Sequence, residues 1–500
     1  MADKPHLVIF NADQWRGDVM GHLGHPAAVT PNLDRLVETD AVSFARTHTQ
    51  NPVCTPSRCC FMSGWYPHVR GHRSMKRMLR QPDENNLLKT LKDGGYYVWW
   101  GGKNDLVPAQ HGFDDYCHVK YSRGYNGLTD PDLEPPRPLY ATDRVDAWRH
   151  KGTDDYYSFF VGKIDKGDAP YYRDSDWAAV EGAIEMIRSA PADQPLCIYL
   201  CLAYPHPPYG VEEPWFSMIE RDRIPPRIGG PENWSGKAPA MHDYHDALGM
   251  DTWTEDRWTE LRAVYYGMAA RVDHQVGLIV EALKEAGMYD QTAMFFFSDH
   301  GDFAGDYGLV EKHQVCFEDC LTHVPMVVKP PRSHAAQPRV TRAMAELIDM
   351  PATVEELSGL RMPQVHFGRS LLPVVTGQTD EHRDAVFCEG GRLEAESHVA
   401  EGDTQARPDP DGIYYPRQNL QATTVTAMDK SVMMRTDRYK LIKRVEQPDE
   451  LYDLEADPAE VTNRLDDPAM AEVRRDLEGR MLDWYLRTSD VVPAGLDKRE

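Results

Sequence analysis

The chain alternates between short, almost wholly apolar runs and longer stretches whose apolar residues recur every three to four positions. HLVIFN (6–11), YYVWW (96–100), PLCIYLCLA (195–203), TAMFFF (292–297) and HVPMVVK (323–329) are of strand length and carry few polar residues. Runs of this kind are strands buried on both faces. Helical spacing predicts helices over 31–36, with a proline start, and over 86–93, stopped by Gly94-Gly95. It also predicts an amphipathic helix over 177–189 and a long one over 257–286, ended by Gly287. Two stretches have little periodicity. Residues 120–175, rich in Tyr, Asp, Pro and Arg, predict an insertion of irregular or short strand structure over a site, and 210–255 predicts a second long loop.

Beyond about residue 375 the pattern changes. Residues 385–388, 425–435 and 438–443 alternate like antiparallel strands, followed by Leu451–Leu454 and a helix over about 469–486. The expected architecture is α/β. A catalytic domain over 1–375 has a large sheet sandwiched by helices, and a smaller α+β subdomain over 376–500 holds a short antiparallel sheet.

Composition narrows the function. A net charge of −24 excludes a general nucleic-acid binder, because phosphate contacts need a basic surface, yet a local cationic pocket can still take a small anion. No apolar run approaches the ~18 residues of a membrane span. Nine cysteines without a regular framework fit a reducing compartment, so the expectation is a cytoplasmic protein.

The chemistry sits at the ends of the apolar runs, where open α/β sheets bind ligands. The first ends in Asp13-Gln14, the 292–297 run in Ser298-Asp299-His300-Gly301-Asp302. Oxygen-rich ligands with one imidazole suit a hard or borderline divalent ion such as Ca²⁺, Mg²⁺ or Mn²⁺. Lys103 follows the 96–100 run after two glycines, and His206 follows 195–203 in a proline-fixed loop. Lys312 lies a dozen residues beyond His300. Between these stands Cys54-Thr55-Pro56-Ser57-Arg58, a thiol four residues before a guanidinium. Arg58, Lys103, Lys312 and His206 could surround a tetrahedral oxyanion.

Cys54–Arg58 resembles the Cys-x-Pro-Ser-Arg signature of type I sulfatases, within the alkaline phosphatase superfamily. Gly64–His72, Asp13, Gly102-Lys103, the His206 loop, Ser298–Gly301, Lys312 and the closing Leu451–Glu460 run fall in the family's order. The resemblance covers nearly the whole chain and implies the alkaline phosphatase-like fold, a large mixed sheet between helices. It implies that a formylglycine-generating enzyme oxidises Cys54 to Cα-formylglycine. A hydrated aldehyde has two hydroxyls on one carbon. One, its pKa lowered by the metal and Arg58, attacks sulfur or phosphorus, with His206 or Lys312 as candidate proton donor. Loss of the second proton then releases the product and regenerates the aldehyde. Catalytic residues implied are Cys54, Arg58, Lys103, His206 and Lys312, and metal ligands Asp13, Gln14, Cys54, Asp299 and His300, with Ca²⁺ or Mn²⁺ as the ion. Two departures stand out. Asp13-Gln14 replaces the common aspartate pair, and Gly102-Lys103-Asn104-Asp105 lacks the histidine of Gly-Lys-x-His. The first looks like the phosphonate monoester hydrolase branch, retained Lys103 more like a sulfatase. The expected substrate is a small sulfate ester, with phosphonate monoesters and phosphodiesters second. An alternative reading is a metal-bound oxyanion-binding protein with unmodified Cys54. A homo-oligomer is compatible with the sequence but not readable from it.

Overall fold

The computed structural model describes residues 4–121, 149–401 and 408–491. The expectations for 122–148, within the predicted insertion, and for the last nine residues lie outside them. The first elements are β1 (His6–Asp13), α1 (Pro31–Thr39), β2 (Val42–Phe44), α2 (Cys54–Ser63), α3 (Leu87–Asp93), β3 (Tyr97–Gly102) and β4 (Val119–Tyr121). Next come α4 (Ser175–Arg188), β5 (Leu196–Pro205), α5 (Pro239–Leu248), α6 (Glu255–Glu285), β6 (Thr292–Ser298), β7 (Met326–Lys329), β8 (Arg339–Thr341) and α7 (Asp349–Ser358). The C-terminal part contributes β9 (Val386–Gly390), α8 (Tyr415–Thr423), β10 (Ser431–Arg435), β11 (Tyr439–Arg444), β12 (Glu450–Asp453) and α9 (Ala471–Thr488).

Eight strands form one sheet in the order β8-β2-β7-β6-β1-β5-β3-β4. Seven run the same way, and β7 alone is antiparallel to both its neighbours. Both faces are covered, which is why the central strands are apolar throughout. Val8, Phe10, Trp99, Ile198, Leu200 and Phe296 point to one side, into a core shared with α1, α4 and α6. Their neighbours Leu7, Ile9, Trp100, Tyr199, Phe295 and Phe297 point to the other, against α2, α3 and α7. The C-terminal sheet is an antiparallel meander, β9-β10-β11-β12. One face packs on α9, where Phe387 stacks on Trp484 at 4.2 Å. The other, with Met433, Ile442 and Tyr452, closes over Phe317 of the catalytic domain.

Three local expectations are corrected. The 210–255 stretch contains α5, whose first turn opens on Pro239 and whose end is Gly249 at φ 65°. The 425–435 run is a strand only from Ser431; Val425–Met428 is a 3₁₀ turn following α8. The 323–329 run breaks at Pro325: His323–Val324 pairs with Thr47–His48 in a small separate sheet, and only β7 joins the main one. Among the described residues, no helix is long and apolar enough to cross a membrane.

Candidate active site

The parallel strands β1, β3, β5 and β6 deliver their carboxyl ends to one crevice. α2 faces the same crevice with its N-terminus. Asn51 Oδ1 accepts from the Val53 amide ahead of it. Pro56 sits in the first turn, where no amide hydrogen is needed, and Gly64 closes the helix at φ 73°. All ten helix residues are buried. Cys54 is therefore the first helical residue, in the positive field of the unpaired amides.

The thiol touches three of the predicted residues. Cys54 Sγ is 3.2 Å from His300 Nε2, 3.5 Å from Lys103 Nζ and 3.6 Å from Asp13 Oδ1. Burial, then Asp13 beside it, pushes the thiol up to about 12. It is thus protonated near neutrality and a poor nucleophile as it stands. Arg58, wholly buried, spans two carboxylates: Nε donates to Asp299 Oδ2 and Nη2 to Asp13 Oδ2, each at 2.9 Å. Ser57 Oγ donates to the Asp299 carbonyl at 2.6 Å, so α2 is tied to the end of β6 by two side chains.

Ligand atoms of Asp13, Cys54, Asp299 and His300 all lie within 4.8 Å of one another. His300 Nδ1 meets the Gly301 carbonyl at 2.8 Å and so carries its hydrogen, leaving a lone pair on Nε2. Burial holds this imidazole at about 4. Burial alone would push Asp13 up, but the cations around it, Lys103 foremost, hold it well below the carboxylate range. Two carboxylates and a neutral imidazole fit a divalent cation. Gln14, at φ 69°, turns its side chain elsewhere: Oε1 accepts from Lys312 and Nε2 donates to Asp302, both at 2.6 Å.

Lys103 closes one side. Nζ donates to Asp13 Oδ2 at 2.6 Å and lies 2.9 Å from Asp105 Oδ2. Gly102 makes this approach available. It has φ 79°, and a Cβ there would stand 1.8 Å from the Cys201 carbonyl oxygen. Gly102→Ala is expected to cost about 2–4 kcal/mol and to displace Lys103. Urea unfolding would show the loss, and an unchanged midpoint would refute it.

Lys312 closes the other side. Its ammonium meets Gln14 Oε1 (2.6 Å), Glu311 Oε1 (2.8 Å) and His206 Nε2 (3.0 Å). His206 Nδ1 faces the Pro207 carbonyl at 2.6 Å, so His206 is neutral there and Nε2 accepts from Lys312. Burial, then Lys312, holds His206 well below its ordinary value, while the ionised Glu311 carboxylate at 2.8 Å keeps Lys312 charged against burial. The proton of the pair thus rests on lysine. The strand end before His206 is fixed from α4: Asp176 accepts from the Ala203 and Tyr204 amides.

The chain as a whole matches known proteins. The family described as Sulfatase matches residues 5–360, and the one described as N-sulphoglucosamine sulphohydrolase, C-terminal, matches 398–485. The chain belongs to the sulfatase family. Among curated relatives, a multifunctional alkaline phosphatase superfamily protein, PehA, of Trinickia caryophylli is 25% identical and covers 97% of this chain and 96% of its own. An arylsulfatase of Clostridium perfringens is 24% identical, with 95% of each covered. In fold, the chain is similar to a phosphonate monoester hydrolase of Agrobacterium radiobacter, with TM-score 0.72, 22% identity, and coverage of 97% of this chain and 96% of that one. The large mixed sheet between helices, with its C-terminal antiparallel sheet, is the sulfatase architecture.

In this sulfatase Cys54, Arg58, Lys103, Asp13, Asp299 and His300 meet at the crevice, His206 and Lys312 pair beside it, and Gln14, expected as a ligand, is turned to Lys312 and Asp302 instead. Four further groups lie among them without having been predicted as site residues. Asp302 accepts from Tyr209 Oη at 2.7 Å and is pushed up to about 7 by burial. Glu311 pairs with Lys312 and, at 2.6 Å, with Arg417 of α8. Burial would raise Glu311, but Arg417 and Lys312 bring it to about 2. Asp105 flanks Lys103. Asp302 and Asp105 stood beside motif residues in the sequence. Glu311 stood beside Lys312 but far from any strand end, and Arg417 had no motif neighbour.

Proposed function

We propose that the protein hydrolyses sulfate monoesters of small molecules with a formylglycine derived from Cys54 and one divalent cation. The carrying observation is Cys54 itself. It lies at a helix N-terminus among candidate metal ligands and cations, with a thiol too basic to act unconverted.

Asp13, Asp299 and His300 would hold the cation, with Ca²⁺ or Mn²⁺ as the ion once Cys54 presents oxygen. The cation would supply Lewis-acid stabilisation of the ester oxygens. The hydrated aldehyde would supply a nucleophilic hydroxyl and a second hydroxyl through which the product leaves. Lys103, beside Cys54, and Lys312, beside Gln14 and His206, would bind and orient the oxyanion. Lys312 holds the proton that the departing ester oxygen needs, and neutral His206 is placed to accept it from, or return it to, that ammonium. Arg58, with both carboxylates bound, fixes the ligand geometry. The nine cysteines, all free, support placing the protein in the cytoplasm, where a maturation enzyme for Cys54 would also act.

The second reading is phosphonate monoester or phosphodiester hydrolysis in the same pocket. It is favoured by Gln14 where a second aspartate is common. Rates on p-nitrophenyl sulfate, a phenylphosphonate monoester and a phosphodiester separate the two. Sulfate is expected to be the fastest, and sulfate turnover far below the others would overturn the ranking. Mass spectrometry of the peptide around Cys54 is expected to show the lighter aldehyde. A thiol in fully active protein would remove the aldehyde mechanism.

A further inference from the structure

Asp105 stands where the crevice needs cations. Its carboxylate is 2.9 Å from Lys103 Nζ, and that ammonium is 3.5 Å from Cys54 Sγ, so one side chain separates it from the reacting centre. It is not an accident of a loose loop. Asn104 locks the turn: its Oδ1 accepts from the Leu106 and Val107 amides and its Nδ2 donates to the Val107 carbonyl at 2.7 Å. Asp105 is held at φ 44°, a left-handed conformation that a non-glycine residue adopts at some cost. Lys103 and Arg58 keep the carboxyl charged against its burial. Oδ2 is buried and makes no aligned hydrogen bond in spite of its closeness to Lys103. Lys103 is therefore shared between two carboxylates, Asp13 and Asp105, before any substrate arrives.

We infer that Asp105 is a specificity-determining residue that makes the pocket discriminate by ligand charge, admitting monoanionic esters and disfavouring dianions. The inference rests on reading the crevice as an oxyanion-ester site. A sulfate monoester, a phosphonate monoester and a phosphodiester each bring one negative charge, which Lys103 can meet. A phosphate monoester brings two above its second pKa of about 6. The second charge would lie beside Asp105, whose side chain is 22% exposed, where like charges still repel. Inorganic sulfate is also a dianion, so the same carboxylate weakens product binding and favours release. Exclusion by a fixed like charge is a recognised way to gain selectivity.

The test is Asp105→Asn, with Asp105→Gly as a second variant. Asparagine and glycine both accept the left-handed backbone, so neither should unfold the turn. At pH 8, kcat/KM is measured on p-nitrophenyl sulfate, p-nitrophenyl phenylphosphonate, methyl p-nitrophenyl phosphate and p-nitrophenyl phosphate, which share one leaving group. Each variant is expected to shift the ratio of dianion to monoanion rates toward the dianion by at least about tenfold, with the ratios among the three monoanions unchanged. Calorimetric titration with inorganic sulfate is expected to show at least about tenfold tighter binding. If all four esters scale together and sulfate affinity does not move, the inference is overturned. If no ester is turned over, the proposed function fails, and the sulfate titration alone decides the role of Asp105.

Discussion

Replacing Cys54 by alanine is expected to abolish turnover, by about 10⁴-fold or more, as removal of a covalent nucleophile does. Stability should change little. The side chain is small, and Asp13, Asp299 and His300 remain in place, so the cost is about 1 kcal/mol. Divalent cation should stay largely bound, as read by equilibrium dialysis. Two outcomes would reject the assignment. Retained activity would mean that Cys54 is not the nucleophile's precursor. Unfolding with complete loss of the ion would make it a structural ligand.

Arg58→Met should show the second large effect. Methionine follows the apolar stem but leaves Asp13 and Asp299 facing each other, both wholly buried, with their shared cation gone. Breaking a buried pair from one side costs about 3–5 kcal/mol. The loss should be greatest in chelator and partly recovered in excess divalent cation, because an ion held by the same carboxylates stabilises the folded state by mass action. Urea unfolding under the two conditions measures both quantities. Equal losses with and without the ion would show that Asp13 and Asp299 do not hold it. Activity should fall as well, since Lys103 shares Asp13 Oδ2 with Arg58.

Much of this was legible in the sequence. The sheet could be read because its strands are buried on both faces and leave uninterrupted apolar runs. Asp13 and the Asp299-His300 pair, which the fold gathers around Cys54, could be read as candidates because each follows such a run directly. What escaped has a physical cause in each case. α2 has no polar face, since all ten residues are buried, and helical periodicity needs one side in water. α5 begins within Pro- and Gly-rich chain, and α8 is nine residues of mostly polar chain opening on Tyr415-Pro416, so neither stood out from loop. Missing α8 meant missing Arg417, and with it the anchor that orders Glu311 around Lys312. Gln14 could be read as an oxygen donor, but its pairing with Lys312 and Asp302 depends on residues some 290 positions away. The carboxylate at 105 was visible as a departure from Gly-Lys-x-His, yet only the left-handed turn shows it fixed beside Lys103.

The complete enclosure of α2 also sets a clock on biosynthesis. Once β6 has slotted in beside β1, Arg58 is bonded to Asp299, a residue 241 positions later, and the thiol is buried against His300 and Asp13. A modifying enzyme that must grip the chain on both sides of Cys54 would have to act before α2 is enclosed. At the usual synthesis rates of about 5–20 residues per second, the interval between the emergence of Cys54 and that of β6 lasts on the order of tens of seconds. On the proposed conversion of Cys54, the fraction of molecules that become active would be set by a race between conversion and closure, and slowing translation should raise specific activity without altering a single contact in the finished protein.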